Sequence, residues 1–299
     1  SPLINMSDLS IKLKSWILAA RPKTLLASIV PVMVGSAAAA NVGSFKLDAA
    51  LIALICSVLI QVSTNFINDL YDHLAGSDTD DRLGPQRALA SGLISISEMR
   101  FAIRFIFALT FLLGLYLVYI AGYSILIVGI LSLLAGYAYT AGPYPLAYNG
   151  LGDLFVIIFF GFVGTVGTYF VQTLSLSTIS LFASIPVGAL ITNILVVNNY
   201  RDHDEDKKSN KNTLVVIFGK TFGKIEFIFL LTISYLSIFY IYFLSYSYFV
   251  FLPLLTLPLA IKITKDLFSL QGEILNNVLA SAAKLSFIFG SLQSLGLLL

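Results

Sequence analysis

Apolar residues in this chain gather into nine runs, each about as long as a bilayer is thick. They fall at roughly 15–40, 48–72, 100–120, 122–141, 153–173, 179–201, 224–245, 246–263 and 279–299. About 20 residues of α-helix cross the ~30 Å hydrocarbon layer, and lipid offers no partner for an open backbone polar group, so such runs span as helices. With 58% hydrophobic and 11% charged residues in 299, one soluble core cannot hide this apolar surface. The expected fold is all-α, a polytopic membrane protein of about nine transmembrane helices forming one domain over residues 1–299.

The charges then orient the chain. If the N-terminus lies in the cytoplasm, seventeen of the eighteen Lys and Arg residues fall on cytoplasmic segments and only Lys46 falls outside. The positive-inside rule therefore predicts a multi-pass protein whose long polar loops, about 73–99 and 202–223, are cytoplasmic, and the expected location is the plasma (inner) membrane. A net charge of +2 argues against a nucleic-acid partner, and no obligate protein partner is inferred. Cys56 is the only cysteine, so no internal disulfide framework exists. Basic residues at 12, 14, 21 and 23 precede an apolar run as in a signal peptide, but Arg21-Pro22-Lys23 crowds that run, and the segment is read as a retained span.

Two acidic clusters sit at helix ends. Asn68-Asp69-Leu70-Tyr71-Asp72, followed by Asp78, Asp80 and Asp81, ends the second run; Asn198-Asn199-Tyr200-Arg201-Asp202, followed by Asp204, Glu205 and Asp206, ends the sixth. Together they hold nine of the sixteen acidic residues. The pattern Asn68-Asp69-x-x-Asp72-His73 recurs as Asn198-Asn199-x-x-Asp202-His203, four helices on and in the same orientation. Two similar four-helix-like halves, each lending a wall to a central cavity with cytoplasmic active-site loops, account for this. On a continuous helix Asn198, Asp202 and Asp206 lie at i, i+4 and i+8, and Asn68 and Asp72 make the same pair. Oxygen ligands on one stripe suit Mg²⁺, which keeps waters and shares phosphate oxygens. Arg82, Arg87, Arg201, Lys207 and Lys211 lie nearby, so the charge logic is that of a metal-bridged diphosphate site.

These blocks, with Ala20-Arg21-Pro22-Lys23-Thr24-Leu25, Arg82-Leu83-Gly84-Pro85-Gln86-Arg87, Tyr139-Thr140-Ala141-Gly142-Pro143, Gly152-Asp153-Leu154 and Lys211-Asn212-Thr213-Leu214, resemble the UbiA superfamily of intramembrane aromatic prenyltransferases. The branch most similar prenylates 1,4-dihydroxy-2-naphthoate in menaquinone biosynthesis. The general pattern has a third Asp where this chain has Gly76, with Asp78 two residues on. The resemblance implies an enzyme that transfers a polyprenyl group from an allylic polyprenyl diphosphate to the naphthoate, releasing diphosphate and CO₂. It implies Mg²⁺ held by Asn68, Asp72, Asn198, Asp202 and Asp206, helped by Asp69 and Asp78, with Asp72, Asp202 and Asp206 as the catalytic carboxylates. Arg82, Arg87, Arg201 and Lys211 would bind diphosphate, and Arg21, Lys23, Tyr139 and Asp153 the aromatic acceptor. His73 and His203 point about 100° away from the motif aspartates they follow, which favours a solvated role.

Other phenolic acceptors, such as 4-hydroxybenzoate or homogentisate, fit the same chemistry. An ion-coupled secondary transporter would also carry half-repeats and carboxylates, but near helix midpoints and not at one end. A membrane phosphotransferase would need an Asp-Gly-containing signature that this chain lacks.

Overall fold

The computed structural model describes residues 6–76, 83, 87–92 and 94–299, and among them the chain is almost entirely helical with no strand. The order is α1 (Met6–Ala20), α2 (Pro22–Asn41), α3 (Leu47–Leu74), α4 (Ile96–Ala121), α5 (Tyr123–Ala138), α6 (Gly152–Val156), a π-helical stretch (Ile157–Val166), α7 (Gly167–Thr173), α8 (Thr178–Arg201), α9 (His203–Lys208), α10 (Leu214–Phe218), α11 (Lys220–Ser245), a 3₁₀ stretch (Tyr248–Thr256), α12 (Leu257–Ser269) and α13 (Leu275–Leu298). Among the described residues eight spans are long and apolar enough to cross a membrane, the α6–π–α7 and 3₁₀–α12 segments each counting as one. The expected fourth span, 122–141, is the shorter helix α5, of 16 residues. At 1.5 Å per residue it is about 24 Å long, just under the hydrocarbon thickness. The chain is a polytopic membrane protein.

The expected first span, 15–40, is two helices. Arg21 adopts φ 51°, ψ 70° between α1 and α2, and Pro22 begins α2, where its missing N–H costs nothing. The run 246–263 begins as a 3₁₀ helix because Pro253 removes a donor from its middle.

Helix α8 is the most enclosed of the spans. It packs against α11, the π stretch and α13, while α13 also packs on α2, so the last span meets the first and closes the bundle. Within a bilayer, close backbone approach stands in for the hydrophobic drive between helices. Gly161 and Gly188 face each other so closely that a Cβ on Gly188 would lie 3.0 Å from the Gly161 Cα and from the Ile157 carbonyl oxygen. A Cβ on Gly35 of α2 would lie 2.3 Å from the Thr165 carbonyl oxygen. The π stretch is thus wedged between α2 and α8 by backbone contact on both sides. Around Gly129 of α5, in contrast, nothing lies within 4 Å of an added Cβ.

Gly35→Val is expected to cost at least the ~1–3 kcal/mol typical of overpacking, lowering the thermal midpoint of the detergent-solubilised protein. Gly129→Ala is expected to leave it unchanged or slightly raised, since Ala is the better helix residue by roughly 0.5–1 kcal/mol. Equal midpoints for both variants would contradict the wedge.

Candidate active site

Helices α3 and α8 end at the same face of the bundle, and there the two Asp clusters meet. Asp202 caps α8 and the chain re-enters helix as α9, so the sixth helix does not run on unbroken as expected. The pitch survives: the Asp202 amide donates to the Asn198 carbonyl at 3.0 Å and the Asp206 amide to the Asp202 carbonyl at 2.8 Å. Asn198, Asp202 and Asp206 therefore keep their i, i+4, i+8 sequence across the break.

Asp72, Asp202 and Asp206 are each met by a cation. Arg87 Nη2 donates to Asp72 Oδ2 at 2.8 Å, and the Tyr148 hydroxyl donates to Asp72 Oδ1 at 2.7 Å. Arg201 Nε and Nη2 fork onto both oxygens of Asp202 at 2.6 Å, and Nη2 also reaches Asn198 Oδ1 at 2.9 Å. Lys211 Nζ lies 3.3 Å from Asp206 Oδ1 and 5.8 Å from the Tyr148 ring centre. Burial would lower the Lys211 ammonium pKa, but the carboxylates of Asp206, Asp72 and Asp202 outweigh it and raise it. Burial pushes the Asp206 carboxyl up to about 6 against the pull of Lys211, with Asp202 and Asp72 adding to the rise. Both motifs thus share one electrostatic environment. Arg87 and Arg201, read from the sequence as diphosphate ligands, stand here as partners of the aspartates.

Around this core the polypeptide is tied together. Thr140 donates its hydroxyl to Asn68 Oδ1, and the Ala88 amide to Asp69 Oδ2 at 3.2 Å. The Leu83 amide donates to Glu205 Oε1 at 2.9 Å, Asn276 Nδ2 to the Leu83 carbonyl at 2.9 Å, and Arg201 Nη1 to Asn276 Oδ1 at 2.6 Å. The turn after α5, with Gly142 at φ 87°, is followed by a 3₁₀ turn, Leu146–Tyr148, and joins the second loop through the Asn212 amide and the Tyr148 carbonyl at 3.0 Å. Tyr139 sits where burial, and then the charges of Asp153, Asp72 and Asp206, raise its phenol above the ordinary range.

Below the motifs opens a cavity of about 1040 Å³ lined mostly by apolar side chains. Asn68, Asp69, Asp72, Arg87, Asn198, Arg201, Asp202, Asp206 and Lys211 line it, as do Arg21, Tyr139 and Asp153. Asp78, Arg82, Asp80 and Asp81 lie outside the described residues, as does the side chain of Lys23. His203 pairs with exposed Asp204 through Nδ1 at 2.7 Å, holding the Asp204 carboxyl below its usual range. Sequence reasoning missed Tyr148 and Asn276. Tyr148 follows the Tyr139–Pro143 block within one turn, whereas nothing local marks Asn276.

The donor set suits a hard cation. Asp206 Oδ2 and Asp69 Oδ1 are buried without hydrogen-bond partners, and the converging ligands are all oxygens. Among the described residues no three His, Cys, Asp or Glu side chains form a ready-made cage.

Residues 28–272 match the UbiA prenyltransferase family. The chain belongs to that family. This prenyltransferase is 36% identical to a 1,4-dihydroxy-2-naphthoate octaprenyltransferase of Haemophilus influenzae, over 96% of its length and 97% of the relative's. It is 32% identical to the protein of the same description in Bacillus subtilis, over 93% and 90%. A UbiA homolog from Archaeoglobus fulgidus, solved bound to DMAPP and Mg²⁺, shares the fold with TM-score 0.65 at 16% identity, over 94% of this chain and 99% of that one. An apo UbiA homolog from Aeropyrum pernix K1 gives 0.69 at 15%, over 92% and 97%.

Asn276→Ala removes both the brace on Arg201 and the tether on Leu83. It is expected to raise the KM for the prenyl donor about tenfold, the scale of one lost hydrogen bond to a charged group, with the thermal midpoint little changed. An unaltered donor KM would show that the tether is dispensable.

Proposed function

We propose that this prenyltransferase joins a polyprenyl group to 1,4-dihydroxy-2-naphthoate, releasing diphosphate and CO₂ and yielding the quinol form of demethylmenaquinone. The observation that carries the reading is the meeting of both Asp motifs at the mouth of an apolar cavity, in a chain whose full-length relatives bear that description. An allylic diphosphate has two unlike ends, and the cavity has two unlike zones to receive them. The charged mouth suits the diphosphate, and the apolar depth suits the isoprenoid tail.

Asn68, Asp72, Asn198, Asp202 and Asp206 would hold Mg²⁺, with Asp69 and Asp78 in support. When bound, the metal neutralises charge developing on the leaving diphosphate. Arg87, Arg201 and Lys211 turn from their aspartates toward the diphosphate as the incoming charge competes for them, and Arg82 is assigned to the same group. Tyr139 stays protonated and presents its ring face near the reacting carbon, where a carbocation is stabilised by π density and water is excluded. Arg21, Lys23 and Asp153 orient the acceptor. The charge bias of the loops supports a cytoplasmic motif end, and we assign the protein to the plasma (inner) membrane.

The deciding experiment is a chromatographic assay of the purified protein in lipid with 1,4-dihydroxy-2-naphthoate, a polyprenyl diphosphate and either Mg²⁺ or excess chelator. A Mg²⁺-dependent prenylated naphthalenediol with matching CO₂ is expected. Product only with 4-hydroxybenzoate or homogentisate would reassign the acceptor.

Asp72→Asn and Asp202→Asn are each expected to reduce turnover to background while the protein remains folded in the membrane. Full activity in both would remove the metal-site assignment. Gly129 lines the cavity with open space beside it, so Gly129→Phe is expected to block long polyprenyl donors while geranyl diphosphate is still used. Unchanged donor preference would place the tail elsewhere.

A further inference from the structure

Lys284 is the only ionisable side chain in α13, a helix that otherwise reads as a membrane span. It lies nine residues beyond the helix start at Leu275, about 14 Å along the axis. A cation at such depth is costly and marks function unless it escapes to the interface. Lys284 is exposed, and it contributes to the wall of the central cavity. Among the described residues it has neither a hydrogen bond nor an ion pair. Of the other cations lining the cavity, Arg87, Arg201 and Lys211 are engaged with its carboxylates, Arg21 sits beside Asp69, and Lys14 is an exposed residue of α1, outside the candidate spans.

Its place relative to the diphosphate zone follows from α13 itself. Asn276, Leu279, Ala280, Ala283, Lys284 and Phe287 line the cavity as one stripe at helical spacing. Asn276 is fixed to Arg201 at 2.6 Å and so marks the motif level. Lys284 is eight residues deeper, about 12 Å along the axis. Helical side chains lean toward their own N-terminus, which in α13 is the motif end, so the lysine stem reaches back toward the reacting zone. An attacking ring must approach the donor's first carbon from the side away from the leaving diphosphate. With the diphosphate at the motif level, as proposed above, Lys284 falls on that side, below the mouth. Asp153 lies on another wall of the same cavity, its Oδ1 buried without a partner, ready to accept from a ring hydroxyl.

We propose that Lys284 binds the carboxylate of the aromatic acceptor, orienting the ring between α13 and the Asp153 wall. This rests on the naphthoate reading above, yet it is testable without turnover. Calorimetric titration of the protein in nanodiscs would compare 1-hydroxy-2-naphthoate with 1-naphthol, which lacks the carboxylate. Wild-type protein is expected to favour the carboxylate compound. K284M is expected to lose about 10- to 100-fold in affinity for it, the range of a charge-assisted hydrogen bond, with 1-naphthol unchanged. K284R is expected to retain most of the preference, and K284Q serves as a second neutral variant should K284M unfold.

Equal preference for the carboxylate compound in wild type and in the neutral variants would overturn the assignment. So would a matching loss of inorganic diphosphate affinity, which would give Lys284 to the leaving group, or the absence of any preference in wild type. If wild type shows the preference but makes no prenylated naphthalenediol, the carboxylate subsite stands and the substrate reading falls.

Discussion

Gathering five carboxylates and amides at the ends of apolar helices is tolerable only because each charge is answered at once. Asp72 is buried against Arg87, Asp202 against Arg201, and Asp206 against Lys211. Removing one partner from a buried pair typically costs about 3–5 kcal/mol, because the survivor keeps its charge without its solvent. The surrounding polypeptide is arranged to keep these pairs intact. Tyr148 supports Asp72, Asn276 supports Arg201, and Leu83 is clasped between Glu205 and Asn276.

The same arrangement bears on how the site exchanges its partners. Cations that neutralise aspartates here are chemically matched to phosphate oxygens, and a guanidinium fork fits either group. On the proposed reading, substrate and metal together would replace the internal pairs with matched charges. Lys284 stands apart from these pairs, eight residues beyond Asn276 on α13 and without a partner among the described residues.

The bundle that carries the site is held by backbone proximity. Glycines at 35, 161 and 188 let α2, the π stretch and α8 touch where side chains would keep them apart. The widened π turns place Gly161 against α8 and Thr165 against α2 in the same segment. Elsewhere Gly114 of α4 and Gly129 of α5 face open cavity, whereas Gly136 of α5 packs on Thr64. One residue type thus closes the bundle on one side and widens it on another.

Much was legible in the sequence alone. Apolar runs of spanning length dictate membrane helices because lipid cannot satisfy a bare backbone, and motif spacing at i and i+4 places oxygen ligands on one face whatever the surroundings. The family too was readable, from blocks such as Asn68–Asp72 and Asn198–Asp202. What only the tertiary structure decided was which groups meet. The break at Arg21 depends on a backbone conformation that hydropathy does not encode, and the break after Arg201 left the i+4 ladder intact. Arg87 and Arg201 were legible as basic residues near the site, but their pairing with Asp72 and Asp202 depends on distances across the bundle. Asn276 is an ordinary amide with no local signal, and Lys284, though the one ionisable residue of its span, resembles an orientation anchor. Their place follows from α13 packing on α2 and α8, and such long-range contact is set by the whole bundle and not by any single segment.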